Sequence, residues 1–243
     1  MKVFYDLGIQ NLLYWSCYFI GFVTIFIFNF FYASKYGLSK KKALLFTVVS
    51  YAGIYLWAYI LAWFANGFRW GHHNAIRVFI WMPILMLLTC KLFKFDWKTS
   101  LDFITPSTCI VYGIARFGCF FPGCCYGVPA SWGIYSYEAG HSCFPITEFE
   151  ALTSLIIATI ILIIAHKKNY PLNNGILYPI MLIMFGYTRY IWEFFSASER
   201  VLLNTTELGI WAFITGTIGL AWLLIVLLYR RKKKDTAIET VSE

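Results

Sequence analysis

The sequence predicts an all-α, polytopic integral membrane protein with about seven transmembrane helices. Of the 243 residues, 60% are hydrophobic and only 13% are charged, whereas a soluble domain carries roughly 25% charged residues. Apolar runs recur along the chain at lengths that can cross a hydrocarbon core of about 30 Å. Basic residues fall mostly in alternate connections between those runs, which gives the chain a predicted orientation.

The apolar runs define the predicted spans. They cover residues 11–33, 43–65, 76–92, 103–121, 148–166, 175–196 and 206–229. No basic leader precedes the first run and no cleavage site of small residues follows it, so we expect it to be retained as a span. The fourth run is the weakest, because polar, charged and helix-disfavouring residues interrupt it, and it predicts a partial or broken helix. These residues are Asp102, Pro106, Gly113, Arg116 and Gly118.

Basic residues indicate which face of the membrane each connection occupies. One alternate set of connections holds most of them: Lys35, Lys40, Lys41, Lys42, Lys91, Lys94, Lys98, Lys167, Lys168, Arg230, Arg231, Lys232, Lys233 and Lys234. By the positive-inside rule, the N-terminus and loops 66–77 and 122–147 lie outside and the C-terminus lies in the cytoplasm. We therefore expect a multi-pass protein of the inner (cytoplasmic) membrane. This placement accounts for the net charge of +8 without a nucleic-acid partner.

We predict one transmembrane domain, residues 1–234, and a short cytoplasmic tail, residues 235–243, that we expect to be disordered. Glycine and proline recur through 122–147, which predicts an irregular outer loop. A loop of this length is often a lid or substrate gate, and a plain surface connector is the alternative.

Ionisable residues within the apolar runs are the first candidates for function. Arg189 and Glu193 are four residues apart, so on a helix they share a face and can pair. Arg116 then leaves more positive charge than Glu193 balances, and the surplus predicts an anionic ligand. A planar guanidinium can form paired hydrogen bonds to a phosphate, and a phospholipid head group is the anion most available in a membrane. A purely structural salt bridge is the alternative.

Other polar residues lie near the predicted outer face. Glu148 and Glu150 open the fifth span, where acidic residues stabilise the helix dipole. His72 and His73 lie in the other outer loop, where a histidine either accepts a proton from a thiol or hydroxyl or is merely solvated.

Four of the seven cysteines lie at or near the outer face: Cys119, Cys124, Cys125 and Cys143. Three interpretations remain open, namely packed or reactive thiols, a disulfide involving Cys143, and a metal site. The spacing of Cys119 and Cys124 does not match the paired cysteines of structural zinc sites. We therefore expect no metal and no cofactor.

These residues resemble the bacterial prolipoprotein diacylglyceryl transferase family over most of the chain. The family signature begins Gly-Arg-x-Gly-Asn-Phe and is closed by a glycine, and it matches Ala115, Arg116, Gly118, Cys119, Phe120 and Gly127. Further matches are Tyr14, Gly21, Asp102, Pro106, Trp132, Gly133, Pro145, Glu150, Ala151, Leu152, Tyr187 and the segment 189–195.

The resemblance implies transfer of a diacylglyceryl group from phosphatidylglycerol to the thiol of a lipobox cysteine in a secreted precursor. The family's catalytic residues would correspond to Arg116 and Arg189, which bind the phosphate, and to His72 or His73 as the base. Substrate-binding residues would be Tyr14, Arg116, Gly127, Glu150, Arg189 and Glu193.

The sequence also departs from the family pattern. Cys119 stands where the signature has asparagine and Cys124 where it has an acidic residue. The histidines lack the family's following glycines. Ser196 replaces an arginine, with Arg200 nearby. These changes keep alternatives open: a membrane protein that binds or moves an anionic phospholipid, a lipid transferase with another acceptor, or a thiol-based redox protein.

Overall fold

The computed structural model describes residues 8–65, 75–167, 175–202 and 204–242. These residues form seven α-helices and one β-hairpin. The helices are α1 (Gln10–Tyr32), α2 (Lys40–Ala65), α3 (Ala75–Phe93), α4 (Trp97–Gly118), α5 (Ile146–His166), α6 (Leu177–Glu193) and α7 (Glu207–Ser242). The strands are β1 (Pro129–Ser136) and β2 (His141–Cys143).

Each predicted apolar run corresponds to one of these helices, so the predominantly helical fold is confirmed. Within the described residues, three helical stretches are long and apolar enough to cross a membrane, namely Gln10–Tyr36, Ile146–His166 and Glu207–Lys232. A shorter apolar helix covers Phe79–Phe93. Seven spans and the orientation of the chain stay predictions.

Helix α4 lies at the centre of the fold and packs against α1 and α5. The prediction of a broken fourth helix is wrong, because α4 is continuous from Trp97 to Gly118 with Pro106 inside it. Residues 99–109 of α4 are all buried. Because this stretch faces protein rather than lipid, its polar residues do not prevent the helix from crossing the domain.

Glycines allow two of the helix pairs to pack closely. A side chain at Gly118 of α4 would collide with Cys17 of α1, and one at Gly186 of α6 would collide with the backbone of Gly216 in α7. Small residues at such crossings let helix backbones approach one another in membrane proteins. These contacts hold the end of α4 against α1 and hold α6 against α7.

The loop after α4 is more ordered than the sequence predicted. The expectation of an irregular loop and of an all-α chain is wrong in this segment, because β1 and β2 pair antiparallel, with Tyr135 opposite Ser142. Val128 N–H donates to Phe195 O over 2.8 Å, and Phe144 N–H donates to Val128 O over 2.9 Å. The loop is thereby fastened to the end of α6.

The C-terminal end also differs from its prediction. Helix α7 continues to Ser242, so the disordered tail expected at 235–243 is helical through that residue. Its cytoplasmic location stays a prediction.

Candidate active site

Three helix ends supply the charged residues of the candidate site. Arg116 lies in the last turn of α4, Glu150 lies near the start of α5, and Arg189 and Glu193 lie in the last turns of α6. The two cations are therefore at C-terminal helix ends and Glu150 is at an N-terminal one. Helix dipoles favour these three positions and disfavour that of Glu193.

These four side chains form one continuous chain of ion pairs. Arg116 Nη2 contacts Glu150 Oε2, Arg189 Nη1 contacts Glu150 Oε1, and Arg189 Nη2 contacts Glu193 Oε1. The predicted pairing of Arg189 with Glu193 is confirmed. Glu150 was predicted as a substrate-binding or helix-capping residue; the structure places it between the two arginines.

The ion-pair chain is electrically balanced, with two guanidinium groups and two carboxylates. The argument that positive charge exceeds negative charge at this place is therefore wrong, because Glu150 supplies the second anion. Arg189, Glu150 and Glu193 are buried. Charges at such depth are stable only when they are paired with good geometry, so each member depends on its neighbours.

One donor group on each arginine is buried without an acceptor in the described part of the chain. Among the described residues, neither Arg116 Nε nor Arg189 Nε has a hydrogen-bond partner. A buried donor left unsatisfied costs on the order of 1–3 kcal/mol. The Arg116 side chain keeps 15% of its surface exposed, so it is the more accessible of the two.

Two further residues support the ion-pair chain and were missed in the sequence. The Thr206 hydroxyl donates to Glu193 Oε2 over 2.5 Å and accepts from Gly209 N–H over 3.0 Å, so the start of α7 holds Glu193 in place. Tyr112 lies near both arginines. It precedes Arg116 by four residues, and this helical spacing was the signal that could have identified it.

The other predicted site residues lie around this centre. The Tyr14 hydroxyl donates to Tyr18 over 3.1 Å, and the Tyr14 carbonyl approaches Gly118 at the end of α4. Gly127 forms a β-bridge with Ser196, so it fastens the outer loop through its backbone. His72 and His73 lie outside the described residues.

Arg200 does not join the ion-pair chain. Its Nη1 donates to Glu193 O over 2.7 Å, and its Nη2 donates to Phe194 O over 3.0 Å and to Ser196 O over 2.9 Å. A guanidinium at this place satisfies carbonyls that the helix end leaves unpaired. Arg200 therefore caps α6.

Cys119 lies beside Arg116, with its Sγ 4.0 Å from Arg116 Nη1. All seven cysteines are free thiols. A small cleft between the end of α4, the hairpin and the start of α5 is lined by Cys119, Cys124 and Cys143 among others. Among the described residues no group of three or more His, Cys, Asp or Glu side chains is arranged to hold a metal ion.

Comparisons with known proteins indicate the family of the chain. The family model described as "Prolipoprotein diacylglyceryl transferase" matches residues 13–226, which is most of the chain. The "Phosphatidylglycerol–prolipoprotein diacylglyceryl transferase" of Clostridium tetani (strain Massachusetts / E88) is 28% identical over 149 residues. That alignment covers 54% of this chain and 58% of the relative, so it spans less than two thirds of the relative's length.

Proposed function

Because the chain belongs to the prolipoprotein diacylglyceryl transferase family, we propose that it transfers the diacylglyceryl group of phosphatidylglycerol to a cysteine thiol. The acceptor is the lipobox cysteine of a secreted precursor. The relative from Clostridium tetani carries phosphatidylglycerol and prolipoprotein in its name, which supports both substrates. A multi-pass membrane protein is suited to this reaction, since the donor lipid resides in the bilayer.

The observation that carries the proposal is the pair of arginines held on one carboxylate. Arg116 and Arg189 both contact Glu150, and the Nε of each has no hydrogen-bond partner among the described residues. The two cations are thus fixed close together with donors to spare. A phosphate group, with several oxygen acceptors, fits such a pair.

The reaction increases negative charge at this place. The acceptor thiol gives up its proton, its sulfur forms a bond to the glyceryl carbon, and the bond from that carbon to the phosphate oxygen breaks. The electron pair leaves with glycerol phosphate, which changes from a singly charged diester into a monoester that gains a second negative charge. Interactions that strengthen as charge develops accelerate a reaction, and the two guanidinium groups provide them.

Each remaining residue has a proposed role in this scheme. Glu150 positions both arginines, and Glu193, which accepts from Thr206, positions Arg189. Tyr14 lies beside the end of α4 and is proposed to contact the lipid, while Gly127 lets the outer loop close on α6. His72 or His73 is the proposed base for the thiol proton, and both lie outside the described residues.

A transfer assay with purified protein tests the proposal. With phosphatidylglycerol and a lipobox peptide as substrates, the lipid-modified peptide and the released glycerol phosphate are measured together. Removing one donor that stabilises developing charge typically lowers a rate by about 10²–10³-fold, so we expect at least a 100-fold loss for Arg116→Ala and for Arg189→Ala. Lys41→Ala, which removes an exposed cation far from the site, is the matched control.

The alternative functions give different results. Wild-type rates in folded Arg116→Ala and Arg189→Ala proteins would refute the roles assigned to the two arginines. If phosphatidylglycerol copurifies with the protein but no glycerol phosphate is released, the protein binds the lipid without breaking a bond. Rescue of a bacterial strain depleted of its own diacylglyceryl transferase would support the reaction in cells.

A further inference from the structure

A small cleft adjoins the ion-pair chain at Arg116. It lies between the end of α4, the hairpin and the start of α5, and we call it the hairpin cleft. Arg116 Nη2 contacts Glu150 in the ion-pair chain, whereas Arg116 Nη1 lies 4.0 Å from Sγ of Cys119, which lines the cleft. A molecule in the hairpin cleft therefore lies beside Arg116, with the Cys119 side chain between them.

The size of the hairpin cleft limits what it can hold. It encloses about 290 Å³, a volume that includes its opening to solvent. Pockets that bury a drug-sized ligand measure about 300–1,000 Å³, so a lipid with two long acyl chains does not fit. A short stretch of peptide is small enough. Ile134 and Tyr135 of β1 line the cleft and are exposed, so a soluble peptide can reach it.

Glu148 gives the hairpin cleft a negative charge. Among the described residues that line the cleft, Glu148 alone carries a formal charge, and the others are aromatic, aliphatic, hydroxyl or thiol side chains and glycine. Glu148 lies in the first turn of α5 and is partly exposed. Its Oε2 accepts from the Thr147 hydroxyl over 2.8 Å, which leaves Oε1 open to a donor from a bound molecule.

The charge of Glu148 is not neutralised by the arginines nearby. Glu150, two residues further along α5, contacts both Arg116 and Arg189, and Arg189 also contacts Glu193. The described part of the chain contains no ion pair of Glu148. The two carboxylates at the start of α5 therefore differ: the charge of Glu150 is balanced within the protein, and the charge of Glu148 acts on whatever enters the cleft.

We propose that the hairpin cleft binds the acceptor peptide next to its cysteine, and that Glu148 selects against acidic residues there. This inference rests on the proposed function. The residues beside the acceptor cysteine occupy the cleft, and the thiol points towards the phosphate bound by Arg116. An acidic side chain in the cleft is repelled by the Glu148 carboxylate and a basic one is attracted, so Glu148 determines which acceptors bind well.

Partial exposure of Glu148 sets the size of the effect. Charge pairs in contact with solvent are weakened by water and by salt. At such sites one pair changes an affinity by up to about five-fold. We therefore expect a preference among acceptors rather than complete exclusion of the acidic ones.

Three acceptor peptides test the preference in the unaltered protein. They differ only in the residues on the two sides of the cysteine, which are lysine, glutamine or glutamate. The KM for each peptide is measured at saturating phosphatidylglycerol with the full chain in detergent. We expect a KM about five-fold higher for the glutamate peptide than for the glutamine peptide, and a lower one for the lysine peptide. The differences should shrink as salt is added.

Substitutions of Glu148 identify the source of the preference. In Glu148→Gln the three KM values should become nearly equal, and in Glu148→Lys their order should reverse, while the KM for phosphatidylglycerol stays unchanged in both. Glu138→Gln is the matched control, because Glu138 is an exposed carboxylate of the same hairpin that does not line the cleft. It should keep the wild-type order.

Several results would overturn the inference. These are equal KM values for the three peptides in the wild type, a preference for the glutamate peptide, an unchanged order in Glu148→Gln, or an equal loss of preference in Glu138→Gln. The first two measurements need no variant, so they remain decisive if a substituted protein does not fold.

Peptide binding without transfer separates this inference from the proposed function. Fluorescence anisotropy measures binding of labelled peptides in which serine replaces the acceptor cysteine. Charge-dependent binding that Glu148→Gln abolishes, together with no lipid transfer to any peptide, would refute the transferase and leave the peptide site intact. Lipid transfer with the same KM for all three peptides would refute the role of Glu148 alone.

Discussion

Replacing Glu150 with glutamine tests whether the ion-pair chain holds the site together. Glu150 contacts both Arg116 and Arg189, and it is 3% exposed. Glutamine has nearly the same shape but no charge, so both guanidinium groups lose their shared anion. Arg189 keeps Glu193, while Arg116 loses the only carboxylate that it contacts among the described residues.

The size of the effect follows from the burial of these charges. Removing one partner of a buried ion pair typically costs about 3–5 kcal/mol, because the remaining charge is left without compensation. For a chain of this length such a loss lowers the melting temperature by on the order of 10 °C. Glu148→Gln is the matched control, since Glu148 lies in the same turn, is partly exposed and accepts from Thr147. We expect little change in that variant.

Anionic lipid should partly rescue the Glu150→Gln protein. A phosphate that binds Arg116 and Arg189 replaces the missing carboxylate, and a ligand that binds only the folded state raises its stability by RT ln(1 + [L]/Kd). Melting is measured in detergent with added phosphatidylglycerol or phosphatidylcholine. The reasoning is refuted if Glu150→Gln melts at the temperature of Glu148→Gln, or if phosphatidylglycerol raises its melting temperature no more than that of the wild type.

Three other substitutions test the supports of the site. Asp102→Asn should lower the free energy of unfolding by about 1–3 kcal/mol and so lower the melting temperature, because the Asp102 carboxylate accepts two N–H groups at the start of α6, over 2.9 and 3.0 Å. Gly127→Ala should be comparably destabilising, since its new methyl group would collide with the Phe144 backbone, whereas Gly53→Ala, with open space around it, should not be. Arg200→Ala should reduce stability but leave the KM for phosphatidylglycerol unchanged, because Arg200 caps a helix; a raised KM would instead indicate a phosphate ligand.

Hydropathy was sufficient to locate the helices but not to describe how they are arranged. The seven apolar runs agree with the observed helices to within a few residues at most ends. The fourth run was predicted to be a partial or broken helix because its polar residues were taken to disfavour a continuous span. In the structure the polar side chains of α4 face the other helices, and Asp102 binds the start of α6. Sequence patterns do not reveal which helix is central, since that depends on contacts between distant segments.

The ion-pair chain shows the same limit for the site. Arg189 and Glu193 were paired in advance because their spacing places them on one helix face. Glu150 is 34 residues from Arg116 and 39 from Arg189 in the sequence, so no local rule links it to either. Its role as the bridge between them, and hence the neutrality of the site, required the packing of α4, α5 and α6.

Neutrality at the resting site changes what the arginines are expected to do. A site with surplus positive charge would hold any phospholipid phosphate tightly, including one that has not reacted. In a balanced site the arginines interact most strongly with the extra negative charge that develops on the leaving phosphate. An interaction that strengthens in the transition state raises the rate, whereas one made equally in the ground state only tightens binding.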